Sequence, residues 1–375
     1  MKSPIRLFGF MAAVAAAAIT AVPAQAASSE DGGGGHAVFV QTNSTDGNAI
    51  AAYHRNDDGT LTFRASYPTG GLGGRATGAG SDPLASQGSL TFIRDSGLLL
   101  AVNAGSDTIS VFQVDGDRLH RTQVLPSGGP FPVGFAVHDD LVYVLDAGGD
   151  GFVSGFRIDA GRLSPIDDST RALGLGNTPT PPFLADPAQV GFTPDGDHLI
   201  VTTKTHNTVD VFSVGENGRP SAAPVKNAQG PVPFAFDFVA GRLVLSLAGT
   251  SSLQTFTVNA DNTITPVSAA VGDTQGGLCW AIRARGFEYV SNTGSGSVSQ
   301  FRVSGDGNVT LVSAIAAAGI LGATDSAAAG GQFLYVQSGL SASVHAFRIG
   351  SGGALTPIQI AAVPDGDDQE GIAAS

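Results

Sequence analysis

The sequence predicts an all-β fold, a seven-bladed β-propeller with four antiparallel strands per blade. Three observations predict it. A strand-turn-strand unit recurs seven times along the chain, and a repeat at this period marks a propeller or solenoid. Charged residues make up only 14% of the sequence while glycine accounts for 52 of 375 positions, a balance that suits short strands joined by tight turns. No helical period competes with the two-residue alternation of the strands.

The N-terminal segment, residues 1–26, sets Lys2 and Arg6 before an apolar run over 7–22 and ends in Ala24-Gln25-Ala26, the pattern of a cleaved export signal. The run is shorter than the about 18 to 20 apolar residues that a membrane span needs. Residues 27–35, rich in Ser and Gly, read as a flexible leader, and the propeller domain is expected over 36–375. The protein is therefore expected to be secreted, without membrane insertion, and monomeric. Its net charge of −13 grows more acidic once Lys2 and Arg6 are removed. That excludes nucleic acid as a partner, because phosphate binding relies on a basic surface. Cys279 is the only cysteine; no internal disulfide can form, and the residue reads as a small buried apolar side chain.

Each repeat carries an aromatic marker in its second strand, at Tyr53, Phe112, Phe156, Phe212, Phe256, Phe301 and Phe347. The spacing, roughly 44 to 59 residues, fits the ~40 to 50 expected per blade. Aligning backward finds an inner strand before each unit, at 87–92, 130–135, 187–192, 233–238, 275–280, 322–327 and 369–374. The last copy has no second strand after it, and the first unit, from His36, has no inner strand before it. The C-terminal strand 369–374 must therefore join the N-terminal blade and pair with 37–42, which closes the ring and removes the exposed edge of an open array. Two connections are much longer than the others, 67–86 and 167–186. Both run from an outer strand to the next inner strand, so both should cover the same mouth of the central channel. Long aperiodic loops of this kind are often lids.

The stretches LLLAVNAGSDTISVFQVD and FEYVSNTGSGSVSQFRVSGDGNVTLV resemble the blade repeat of the bacterial lactonase-type seven-bladed propellers, the 6-phosphogluconolactonase-like and carboxymuconate-lactonizing proteins. The resemblance covers essentially all of the chain beyond the signal. It implies hydrolysis or formation of a small lactone in the central channel, by His, Arg and acidic side chains. The inner strands here contain no His or Arg and supply the acids Asp237, Asp325 and Glu370.

No Ser nucleophile elbow, zinc-protease motif or phosphate-binding loop is present, and no cofactor is expected. The seven histidines are scattered without metal-ligand spacing. The acidic turns fit the residues that tight hairpins demand, so no metal is expected either. The candidate site follows from topology: the ends of the second strands and the starts of the inner strands meet at the channel mouth. Catalytic candidates are Glu370 or Asp325 as general base and Lys204 as the cation that stabilises an oxyanion. Gln87, Asn103, Asp146, Gln275, Asn292 and Gln369 are the candidate ligand-binding groups, oriented toward a small polar molecule or lactone. A non-catalytic extracellular scaffold that binds a ligand or a protein is the alternative.

Overall fold

The structure, a computed structural model, describes residues 36–375; the expected export signal over 1–26 and leader over 27–35 lie outside the described residues. Seven antiparallel sheets, each with a four-stranded meander, form the blades. Blade 1 is built from both ends of the chain. Ile372–Ala374 lies innermost, followed by Ala37–Gln41, Ala49–Arg55 and Leu61–Pro68. The closing register is Val38 to Ala374, Phe39 to Ala373 and Val40 to Ile372, the pairing expected from the repeat. Blades 2 to 7 follow in chain order, with inner strands Leu90–Ile93, Pro132–His138, Pro187–Phe192, Pro233–Val239, Leu278–Ala284 and Ala323–Ala329.

Several inner strands begin later than the sequence repeat suggests. Gln87, Gln275 and Gln369 precede their strands, because the chain enters through backbone with positive φ at Gly88, Gly277 and Gly371. The inner strands of blades 3 to 7 then carry a bulge within their first few residues. Bulges re-aim side chains and are frequent beside functional sites. Here they lie at the channel mouth, and in blades 6 and 7 they span Cys279, Trp280, Thr324 and Asp325.

The second strands are buried on both faces, as in Leu98–Asn103 and Phe333–Ser338. The core accordingly sits between blades rather than within them. One apolar cluster joins blades 2, 3 and 4 through Leu100, Val144 and Val201, and another crosses the closure through Tyr335, Val40 and Ile372. All seven aromatic markers are buried. A tyrosine latch recurs: the hydroxyls of Tyr143, Tyr289 and Tyr335 donate to the carbonyls of Gly218, Gly353 and Gly59, each in the outer turn of the next blade. Tyr335 thereby ties blade 7 to blade 1, adding a side-chain bond worth about 1 kcal/mol to the closure.

Candidate functional site

The two long loops meet over one mouth of the channel. They join through a parallel bridge between Thr77 and Pro182, with Thr77 N donating to Pro181 O at 2.8 Å and Phe183 N to Thr77 O at 3.0 Å. Loop 67–86 first crosses blades 1 and 2, then reaches blade 7. A Cβ on Gly339 would stand 1.9 Å from the carbonyl oxygen of Ser81, so only glycine lets this loop lie so close to the turn of blade 7.

The end of that loop turns down into the channel and plugs it. Leu84, Ala85 and Ser86 are fully buried. Ser86 Oγ donates to Val133 O at 2.8 Å in blade 3, and Gln87 N to Ala188 O at 2.8 Å in blade 4. From blade 6, Trp280 Nε1 donates to Ser86 O at 2.9 Å. The Gln87 amide grips both backbone groups of Ala281 in the same blade, at 3.0 and 3.1 Å. Two consecutive residues, Ser86 and Gln87, thus fasten three blades across the axis.

Buried polar groups gather around this plug. Lys204 follows the last residue of its blade's second strand and is 2% exposed. Its Nζ donates to Ala85 O and stands 5.5 Å from the ring centre of Phe234 and 5.7 Å from that of Phe183. Burial lowers its pKa, against the opposing pull of Asp186, Asp82, Cys279 and Glu370. Asp82 accepts a hydrogen bond from Ala85 N at 2.7 Å and faces the carboxyl of Glu370, which is wholly buried. Burial raises both groups, and the neighbouring charge of Asp82 raises Glu370 further. Two neighbouring buried carboxyls cannot both ionise at little cost, so burial and mutual repulsion favour a proton on at least one of them. Burial also lifts Asp186 to about 8 and Asp325 to about 7; Asp325 is held by the backbone N–H of Ser326 at 2.8 Å. Four carboxyls and one amine are thus concentrated out of water, where unpaired charge is costly. Burial thus favours the protonated form of each carboxyl.

A cavity of about 400 Å³ opens onto this cluster. Asp82, Lys204, Cys279 and Thr293 supply its polar wall; Phe183, Phe234 and Trp280 supply much of the apolar one. Cys279, expected to be buried, is half-buried at the cavity wall, and its surroundings push the thiol up to about 12, which favours the thiol over the nucleophilic thiolate. Two larger hollows, of about 560 and about 470 Å³, lie between neighbouring blades and contain none of the cluster.

Of the residues singled out from the sequence, Lys204, Asp325 and Glu370 come together here, and Gln87 ties the plug in place. The others hold strands and blades together: Asn103 also accepts from Asn48 Nδ2 of blade 1 at 3.0 Å, and Gln369, leading into blade 1, bonds blade 7. The Asn103 amide donates to Ser110 Oγ at 2.8 Å and the Asn292 amide to Ser299 Oγ at 2.8 Å. Gln369 donates to Ser338 O and Ser343 O, and Gln275 accepts from Ser297 Oγ. Asp146 is buried, its carboxyl raised to about 8 by desolvation. Asn103, Asp146 and Asn292 are the last residues of their second strands, whereas Lys204 lies one position further on. A shift of one residue along a strand moves a side chain to the opposite face.

Sequence reasoning missed Asp82, Asp186, Phe183 and Trp280. A signal for the two acids was present: an Asp-Pro step falls near the end of each long loop, at Asp82-Pro83 and Asp186-Pro187. For Trp280 the signal was its place as the single tryptophan of the chain, inside an inner-strand repeat.

Comparison with known proteins places these observations. Residues 89–277 match the family described as lactonase, 7-bladed beta-propeller. Among solved structures, the periplasmic gluconolactonase of Pseudomonas aeruginosa is similar at 19% identity, over 89% of this chain and 98% of its own, with a TM-score of 0.66. A protein from Lactobacillus plantarum is similar at 20% identity over 88% and 97%, with a TM-score of 0.64. Virginiamycin B lyase from Staphylococcus aureus aligns at 13% identity over 76% and 87%, with a TM-score of 0.52. These likenesses establish the fold. No curated protein sequence matches the chain.

Proposed function

We propose that this chain, which belongs to the lactonase family of seven-bladed β-propellers, hydrolyses or forms a small lactone in the cavity beneath its two long loops. One observation carries the reading: a buried amine, Lys204, and a buried carboxyl, Asp82, line the same cavity. Lactone hydrolysis needs a base for water, a stabiliser for the oxyanion and an acid for the leaving alkoxide. When ionised, the Asp82 and Glu370 pair takes a proton from water as its oxygen bonds to the lactone carbonyl carbon. Lys204 has three N–H donors, one fixed on Ala85 O, and another donates to the oxygen that becomes negative. The ring C–O bond then breaks, and the proton held by the carboxyl pair passes to the alkoxide. Asp325, when ionised, raises the proton affinity of Glu370 through its charge. Reversal of the steps forms the ring. The protein is exported by the signal over residues 1–26 and acts as a monomer in this reading.

The test is turnover of a panel of sugar lactones and muconolactones by the protein, and by Asp82→Asn and Glu370→Gln. The expected loss is about 10²- to 10⁴-fold in kcat for either variant, with the fold retained. Turnover unchanged in both variants contradicts the proposal. Binding without turnover of any lactone favours the scaffold reading instead.

A further inference from the structure

We propose that the cavity selects a neutral lactone bearing an apolar substituent, and discriminates against phosphorylated and carboxylated lactones. This rests on the reading of the cavity as a lactone site. The lining carries the first half of the argument. Phe183, Leu184, Val232, Phe234, Ala248 and Trp280 form an apolar wall. Burying a substituent against such a wall is favourable in proportion to its apolar area.

Charge carries the second half. Recognition of a phosphate or a second carboxylate calls for several N–H donors, most often from arginine, in a fork that matches the anion. The cavity has no arginine in its lining, and Lys204 is its one cationic side chain. That amine is already bonded to Ala85 O, enclosed by the rings of Phe183 and Phe234, and set among Asp82, Asp186 and Glu370. Arg75 reaches the carbonyl of the rim residue Gly80, but its guanidinium is paired with Asp368. An incoming dianion would meet one cation already engaged with Ala85 O and the buried carboxyls, and would leave most of its own charge unpaired in a partly desolvated site. A neutral lactone needs only one hydrogen bond to its carbonyl, which Lys204 can supply.

The rim extends the wall outward. Leu184 lines the cavity yet is 53% exposed. On the blade 7 side, the rim residue Ser81 lies against Gly339, beside Leu340, which is 64% exposed. Large aliphatic side chains left in water around a mouth suit an apolar chain that projects from it.

The experiment is calorimetric titration of the protein with neutral alkyl-substituted lactones of increasing chain length, an unsubstituted neutral lactone, a phosphorylated sugar lactone and a carboxylated muconolactone. Emission of Trp280, the sole tryptophan, shows whether the heat comes from this cavity. The proposal expects Kd to fall about two- to fourfold per added methylene until the wall is covered, with Trp280 emission shifting in step. It expects the charged lactones to bind at least tenfold more weakly than a neutral one of equal size. Leu184→Asp should weaken the longest lactone about tenfold more than it weakens the unsubstituted one. Charged lactones binding as tightly as neutral ones, affinity that is flat in chain length, or no binding at all overturns the proposal. Hydrolysis, measured separately, keeps the two readings distinct. Chain-length-dependent binding without hydrolysis removes the catalytic reading and leaves the selectivity. Hydrolysis restricted to charged lactones does the reverse.

Discussion

The two long loops look alike in sequence and do different work. Loop 67–86 ends inside the channel, where Leu84, Ala85 and Ser86 are buried and its bonds reach blades 3, 4 and 6. Loop 167–186 stays largely over its own blade, with Asn177 Nδ2 donating to Ala147 O at 2.9 Å and Gly149 N to Thr178 O at 3.1 Å. It contributes Phe183 and Leu184 to the cavity wall. One loop therefore completes the ring's core and the other shapes the cavity's opening. In a propeller the periodic strands specify the ring, and aperiodic insertions decide what the ring can hold.

That contrast predicts unequal effects. Replacing residues 80–86 with a Gly-Ser linker of equal length should cost roughly 3 to 6 kcal/mol, because buried aliphatic groups and inter-blade hydrogen bonds are lost together. The same replacement over 176–182 should cost less than half as much. Denaturant unfolding of the two variants checks this. Equal losses would mean that the plug is no more than a surface loop.

A smaller effect concerns protons. Asp146, Asp186 and Glu288 are raised to about 8 and Asp325 to about 7, in each case chiefly by burial. In the unfolded chain these carboxyls release their protons near the ordinary values of 3.8 and 4.5. Between those values and about 8 the folded state binds more protons than the unfolded one, so stability declines as pH rises. The contribution is complete below about pH 4 and lost by about pH 8. Thermal melts should therefore show a lower Tm at pH 8.5 than at pH 5.5. Asp146→Asn makes blade 3 match Asn103 and Asn292 and should recover roughly 1 to 2 kcal/mol at the higher pH. A Tm that rises over this range contradicts the assignment. At the far end of the scale, Arg118→Ala on the outer strand of blade 2 should change stability by less than about 0.5 kcal/mol.

The ring was legible because its signal is periodic. Seven aromatic markers and one unpaired copy at the C-terminus define the blades and the closure between Ile372–Ala374 and Ala37–Gln41. The site was legible only in part. Lys204, Asp325 and Glu370 were found because topology alone brings strand ends to one mouth. Asn103, Asn292 and Gln369 stood at the same ends, but their amide N–H groups are directed to hydroxyls and carbonyls of their own or the adjoining blade. Strand-end position cannot separate a side chain that faces the channel from one turned into its own blade, since adjacent residues point opposite ways. Asp82 and Asp186 lie in loops that no repeat aligns, and their burial depends on contacts across the ring.

The most direct test compares Lys204→Met with Glu288→Gln in lactone turnover. Both parent residues are buried and ionisable. Glu288, however, pairs with Arg283 at 3.5 Å and takes no part in the cavity, whereas Lys204 lines it. The account predicts that Lys204→Met lowers kcat at least about 100-fold while Glu288→Gln stays within about twofold of the parent. Equal turnover by the two variants, or a greater loss in Glu288→Gln, would contradict the placement of the reaction beneath the two loops.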